Sequence, residues 1–233
     1  SAKCQRESRG PTQKMLSVAL RVAGLRPGTL SRGSIRLLPI YTKTGDKGES
    51  SLFNGRRLPK DSLVFDALGH TDELNSCVGL ARELLDARLS ATDASRLGEE
   101  LAVIQSRLFN VGAAIATPAG DSSEAKLDRV RFLGQHTLDL EHWIDRMDQD
   151  IPPLKNFILP GGSVASAQLH LARAVCRRAE RAVTPLVRGG DVPATVQQFL
   201  NRLSDYLFTC ARWVSHQSGA QELFWSIPEK ERS

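Results

Sequence analysis

Apolar residues recur at helical spacing along most of this chain. Leu97, Leu101, Ile104, Leu108, Val111 and Ile115 fall 4-3-4-3-4 apart, which lays one stripe down a helix of about six turns. Val130, Leu133, Leu140, Ile144 and Met147 repeat the pattern after a polar stretch around Pro118 to Ser123. Val196, Phe199, Leu200, Leu203, Leu207, Cys210, Ala211 and Val214 make a third stripe, opened by Pro193 and closed by Gly219, as helix start and stop chemistry favours. A less regular helix is predicted between Ser62 and Ala87, with Leu74, Cys77, Val78, Ala81, Leu84 and Leu85 on its apolar face and Gly69 interrupting it. Another is predicted from Ser163 to Val187, after the stop Leu159-Pro160-Gly161-Gly162. Extended signals are confined to Ile40–Thr44 and Ser50–Asn54. The pattern predicts an all-α five-helix bundle carrying an N-terminal loop or hairpin, with no internal repeat.

Charge divides the chain. Of 31 Lys/Arg and 26 Asp/Glu, the first 39 residues hold eight bases (Lys3, Arg6, Arg9, Lys14, Arg21, Arg26, Arg32, Arg36) against one acid, Glu7. The net charge of +5 therefore belongs to a leader, and the body beyond it is slightly acidic. A general affinity for nucleic acid loses its main support. From Met15, which could be the initiator, the leader is rich in Arg, Ser, Leu and Ala with no acid up to Pro39. That is the composition of a mitochondrial transit segment; a basic tail without fold is the alternative. The expected organisation is a leader over 1–38, a helical domain over 39–218 and a tail over 219–233. The sequence has no apolar run of the ~18 residues that a spanning helix needs, so no membrane role is expected. At 233 residues the chain can bury roughly 70% of its unfolded surface, so neither disulfides nor metal are needed for stability. Cys4, Cys77, Cys176 and Cys210 have no C-x-x-C spacing and read as buried thiols in a reducing compartment.

Two segments carry candidate chemistry. The first, "YTKTGDKGESSLFNG" (Tyr41–Gly55), sets Lys43 and Lys47 among Gly45, Gly48, Gly55 and the hydroxyls of Thr42, Thr44, Ser50 and Ser51. It lacks the Gly-Lys-Ser/Thr of a P-loop. It reads either as a tight turn with solvated lysines or as a nest of backbone amides for an anion. The second, "HLARAVCRRAERAVTPLV" (His170–Val187), places Arg173, Arg177, Glu180 and Thr184 on one helical face, with Arg178 and Arg181 flanking it. A solvated face is the plain reading. Yet the segment is otherwise Ala-rich and apolar, and Asn201 and Asp205 on the last helix offer partners. Such an arginine cluster meeting the glycine loop suits a polyphosphate, because each charge-assisted bond contributes about 1.5–3 kcal/mol. The five histidines form no zinc-binding spacing. Asp72 and Glu73 of "DEL" read as ion-pair partners rather than as acid–base catalysts, and no nucleophile–base–acid set is legible.

Taken together, "IYTKTGDKGESS", "HTDELNS", "FILPGG", "RAVCRRAER" and "FLNRLSDYLF" resemble, in this order and spacing, the ATP:cob(I)alamin adenosyltransferases of the trimeric five-helix type, mitochondrial in animals. The resemblance spans about residues 39 to 215. It implies that Thr42, Lys43, Thr44, Gly45, Ser50, Ser51 and Lys60 bind ATP together with Arg177, Arg178, Glu180, Arg181 and Asn201 of a neighbouring chain. It implies an intersubunit salt bridge between Asp72 and Arg173 with Asp205 in the same network. It further implies that Phe157 closes the lower face of the corrin ring. The reaction so implied is attack of cobalt(I) on C5′ of ATP with loss of triphosphate, Lys43, Arg177 and Mg²⁺ stabilising the leaving group and Phe157 keeping an axial donor off cobalt. Mg²⁺ would arrive with ATP, and cobalamin is substrate. The implied partners are ATP, cob(II)/cob(I)alamin, two further copies of the chain and a mutase that receives the product, in the mitochondrial matrix. Glu49 departs from the expected pattern by placing a negative charge beside the phosphate loop. A non-catalytic nucleotide-binding scaffold and an RNA-binding bundle using "CRRAER" are the competing classes.

Overall fold

The computed structural model describes residues 43–85 and 88–226; Thr42, the leader and the last seven residues lie outside them. A short hairpin, β1 (Glu49–Ser51) and β2 (Arg57–Pro59), precedes the helices α1 (Leu63–Glu83), α2 (Ala91–Ile115), α3 (Glu124–Arg129), α4 (Gln135–Asp148), α5 (Val164–Arg188) and α6 (Ala194–Gln217). The five long helices are those the periodicity predicts, and α3 is an additional six-residue turn.

Helix α2 follows its stripe, with Leu97, Leu101, Ile104, Leu108, Val111 and Ile115 all buried. Its first turn is capped by Ser90, whose hydroxyl accepts from the Asp93 amide at 3.1 Å. Gly69 does not interrupt α1: the helix runs through it, because the glycine faces open space and the buried face is Val64, Ala67, Thr71, Leu74 and Val78. The expected stripe from Val130 is broken. Val130 ends α3, Leu133 is half exposed, and Phe132 is buried in its place, edge-on to Phe199 with ring centres 5.2 Å apart. Helix α4 starts only at Gln135, behind Gly134. The first extended segment is also not a strand over its described part. Lys43 sits at φ 56° and begins a turn, while the strand pair is Glu49↔Pro59, Ser50↔Leu58, Ser51↔Arg57.

Helix α5 lies between α1 and α6; α2 packs on α1, and α4 on α6. The centre holds one polar knot. Glu100 of α2, buried, pairs with Arg146 of α4 and accepts from the Tyr206 hydroxyl of α6 at 3.0 Å. Burial of Tyr206 beside this carboxylate pushes its phenol well above the usual range. Helix α6 is the core rod, with Val196, Phe199, Leu200, Leu203, Tyr206, Leu207, Cys210, Ala211, Trp213 and Val214 buried. Gly219 at φ 67° closes it, with Ala220 N–H bonding the Ser215 carbonyl.

Candidate functional site

Three groups of residues stand out at the surface. The first is the hairpin and the loop before it. Gly48 at φ 77° lets the loop turn into β1, and the Lys60 amide donates to the Gly48 carbonyl at 2.8 Å. Gly45 lies against Lys60, where a Cβ would stand 3.1 Å from the ammonium nitrogen. Lys43 holds a left-handed backbone that costs a side-chain-bearing residue about 1 kcal/mol or more. Arg57 ties the loop together: it donates to the Thr44 carbonyl at 3.0 Å and the Ser51 hydroxyl at 3.4 Å and pairs with Glu49 at 3.3 Å. The negative charge of Glu49 is thus matched inside the hairpin. The hairpin itself is bolted to the end of α2, the turn before α3 and α3 itself. Phe53 N–H bonds the Ala116 carbonyl, Arg56 pairs with Asp121, and Lys126 donates to the Asn54 carbonyl at 3.0 Å.

The second group is the arginine face of α5. Arg177 and Arg181 are exposed, whereas Cys176, Ala179 and Val183 are buried. Glu180 is held by Asn201, whose side-chain amide donates to it at 3.0 Å, so the expected Glu180–Asn201 neighbourhood forms within one chain. Arg178 turns the other way. It pairs with Glu73 of α1 and donates to His70 Nδ1 at 3.2 Å; the Arg178 hydrogen bond holds the Glu73 carboxyl below its usual range. Arg173 stacks over the Phe208 ring at 5.4 Å. Asp205 pairs with Arg202 at 2.9 Å, and Asp72 is exposed beside a hollow of about 380 Å³ that also touches Phe53, Phe109 and Gly112. Asp72 and Arg173 therefore stand on different helices with separate surroundings.

The third group is apolar. The connector from α4 to α5 is anchored on α6 at both ends. Trp213 Nε1 donates to Asp150 at 3.1 Å, Arg212 to the Pro152 carbonyl at 2.9 Å, and Gly162 at φ 95° lies against Ser215. Between these anchors the chain runs over the surface, and Phe157 is 78% exposed. The segment after α6 folds back onto it. Leu159 N–H bonds the Leu223 carbonyl and Trp225 N–H the Phe157 carbonyl, both at 2.8 Å, with Ile158 opposite Phe224. Because side chains alternate across such a ribbon, Phe157, Leu159, Leu223 and Trp225 share one face. Phe157 and Trp225 meet edge-on at 6.5 Å and line a cleft of about 410 Å³ with Leu154, Lys155 and Asn156. The stretch set apart as a tail from 219 thus pairs with the connector and lines this cleft through Trp225, a part that the sequence analysis did not assign to it. Its short apolar run, Leu223-Phe224-Trp225, was the available signal.

Burial drives the Cys176 and Cys210 thiols far above their usual range, and Cys77, Cys176 and Cys210 are all free. Among the described residues no cluster of three or more His, Cys, Asp or Glu could hold a metal ion, so the side chains do not fit a protein-held cation. No described helix is long and apolar enough to cross a membrane.

A lysine- and hydroxyl-bearing loop, an exposed arginine face and an exposed apolar ribbon are the surface features that this helical bundle offers to a ligand. Residues 40–214 match the cobalamin adenosyltransferase family, and the chain belongs to that family. It is 50% identical over 199 residues to the human corrinoid adenosyltransferase MMAB, covering 85% of this chain and 77% of the human one. It is 44% identical over 184 residues to the Bacillus subtilis corrinoid adenosyltransferase, covering 78% and 89%. A variant of the PduO-type ATP:corrinoid adenosyltransferase of Lactobacillus reuteri, solved in complex with cobalamin and ATP, superposes with a TM-score of 0.73 at 37% identity, covering 81% of this chain and all of that one.

Proposed function

We propose that this enzyme transfers the 5′-deoxyadenosyl group of ATP to cob(I)alamin, itself formed from cob(II)alamin, giving adenosylcobalamin and triphosphate. The observation that carries this reading is the coexistence, on a chain of this family, of the exposed Arg177/Arg181 face and the exposed Phe157 wall. The cobalt(I) electron pair attacks C5′, the Co–C bond forms, the C5′–O bond breaks, and triphosphate leaves with its electron pair. No proton moves at carbon, so no general base is required, in keeping with the absence of an acid–base dyad in the reading of the sequence. The chain's task is in-line placement and charge stabilisation at the departing oxygen. Lys43, Thr44, Gly45, Ser50, Ser51 and Lys60 present ammonium, hydroxyl and backbone donors; Arg177 and Arg181 present forked donors to the phosphates. Mg²⁺ would be held by the phosphate oxygens rather than by side chains, and no step is assigned to it.

The ATP site is completed between chains in a homotrimer. Support comes from the separate mountings of its halves, the hairpin on the end of α2 and the arginine face on α1 and α6. The same arrangement would let the exposed Asp72 reach Arg173 of a neighbour. The Phe157 wall excludes water and the dimethylbenzimidazole from the lower face of the corrin, which removes the axial donor and eases reduction of cob(II)alamin. The Arg-rich, acid-poor leader supports action in the mitochondrial matrix, with the product passing to a mutase.

Anaerobic incubation of the protein with ATP and chemically reduced cobalamin tests the reading. The adenosylcobalamin spectrum and stoichiometric triphosphate are expected; binding of ATP without either product would leave a non-catalytic carrier. Phe157→Ala should bind ATP as the parent does and turn over poorly with cob(II)alamin plus reductant, and parental turnover would remove Phe157 from the wall.

A further inference from the structure

The ribbon that carries Phe157 and Trp225 has a hidden fastening. Arg212, only 5% exposed near the end of α6, donates through Nε to Glu222 at 3.1 Å and through Nη2 to the other Glu222 oxygen at 3.4 Å. The same Nη2 donates to the Pro152 carbonyl at 2.9 Å. Pro152 leads into the strand of Phe157, and Glu222 leads into the strand of Trp225. One guanidinium therefore grips both strands, and it does so from beneath. Arg212, Pro152, Glu222 and Phe224 line a separate hollow of about 220 Å³ on the side of the ribbon away from Phe157 and Trp225.

We infer that the Arg212–Glu222 pair is the positioning device that sets the depth and register of the apolar wall against cobalamin; this rests on the reading of Phe157 as that wall. A two-stranded ribbon is marginal by itself in water, and here two ladder bonds join its strands. Excluding an axial donor requires the wall to stay closed, since a ribbon that lifts admits water to cobalt. A bidentate ion pair with its arginine buried and its carboxylate partly buried is well suited to fixing one register. The hydrogen bonds and ion pair described for Arg212 go to Glu222 and Pro152 and to no residue of the cleft lining, so its effect passes through the ribbon.

Glu222→Gln, which keeps shape and removes the charge, and Arg212→Lys, which keeps charge and cannot grip both strands, test the inference in the full-length protein. Hydrogen exchange of the peptides covering 157–159 and 221–225 should quicken about tenfold, equivalent to ~1.4 kcal/mol. The apparent KM for cob(II)alamin should rise about fivefold or more while that for ATP stays within about twofold. The electron paramagnetic resonance signal of four-coordinate cob(II)alamin in the presence of ATP should shrink in parallel. Unchanged exchange, or faster exchange with unchanged cobalamin KM and signal, overturns the inference. Should Phe157→Ala impair turnover while Glu222→Gln does not, only the positioning role falls; should Phe157→Ala also be silent, the wall itself is misassigned. Glu222 lies outside the helices, so its variant stays informative even where Arg212→Lys fails to fold.

Discussion

Gly162 is where the backbone leaves least room, and Gly162→Ala gives the sharpest test of how the connector is held. Its φ of 95° is strained for any residue with a Cβ, at a cost of about 1–2 kcal/mol. An added methyl would also overlap Ser215 Oγ and stand 3.0 Å from Ser215 Cβ, on a buried stretch of α6 that cannot retreat. Overpacking of this kind adds about 1–3 kcal/mol. The sum is about 2–5 kcal/mol, which for a chain of this size lowers Tm by roughly 5–15 °C. Ser215→Ala removes the hydroxyl and leaves the Cβ, so the double variant should recover about 1 kcal/mol of the loss and keep the backbone part. Thermal unfolding of the parent, both single variants and the double variant closes the cycle. A Gly162→Ala protein melting within about 2 °C of the parent would refute the claim that this approach demands glycine.

Three further outcomes are expected. Arg177→Ala should lower kcat or raise the KM for ATP more than about tenfold, ~1.4 kcal/mol or more, in steady-state assays with reduced cobalamin; an unchanged profile would return Arg177 to a solvated helix face. Tyr206→Phe leaves Glu100 short of one buried partner and should cost about 1.5–3 kcal/mol in urea unfolding without changing the KM for either substrate; a loss below about 0.5 kcal/mol would mean that Arg146 alone satisfies the carboxylate. Burial, with Arg107 and Arg173 adding repulsion, holds His136 and His170 below their ordinary 6.5. The unfolded chain therefore takes up protons first as pH falls, so this stability is complete above about pH 6.5 and is lost as pH drops toward the folded values. Glu73 and Asp139, held low chiefly by hydrogen bonds from Arg178 and Gln135, add their losses only in the acid range of carboxylates. Urea midpoints should thus be lower at pH 5.5 than at 7.5 and differ less in His170→Gln, and equal midpoints would contradict the assignment.

The long helices were legible because burial and period coincide: all six residues of the α2 stripe are buried. The reading failed where two apolar residues mimicked a period. Val130 and Leu133 are three apart, yet they flank a loop whose buried residue is Phe132. Local pattern also could not find partners distant in sequence. The Arg178–His70 bond, the Arg56–Asp121 pair and the pairing of Ile158 with Phe224 all join segments more than sixty residues apart. The exposure of Arg177 and Arg181 followed from helical geometry. The inward turn of Arg178 onto α1 did not, since an arginine beside an exposed face serves either a ligand or a neighbouring carboxylate.

A second set of long-range links does share one helix, α6. Along α6, Asn201 fixes Glu180 beside the arginine face, and Arg212, Trp213 and Ser215 fix the connector that bears Phe157. Arg212 lies eleven residue steps along the helix from Asn201, a rise of about 16.5 Å. The rod between them is buried at Leu203, Ser204, Tyr206, Leu207, Cys210 and Ala211, and tight packing leaves little freedom to stretch or bend. On the proposed reading, one end of α6 sets a phosphate-facing group and the other sets the apolar wall, so the core rod fixes their separation within each chain. An in-line attack tolerates little error in that separation. On that reading the connector is placed by Arg212, Trp213 and Ser215, all buried and none proposed to meet a ligand, while Arg177, Arg181 and Phe157, the groups proposed to meet substrate, stand exposed.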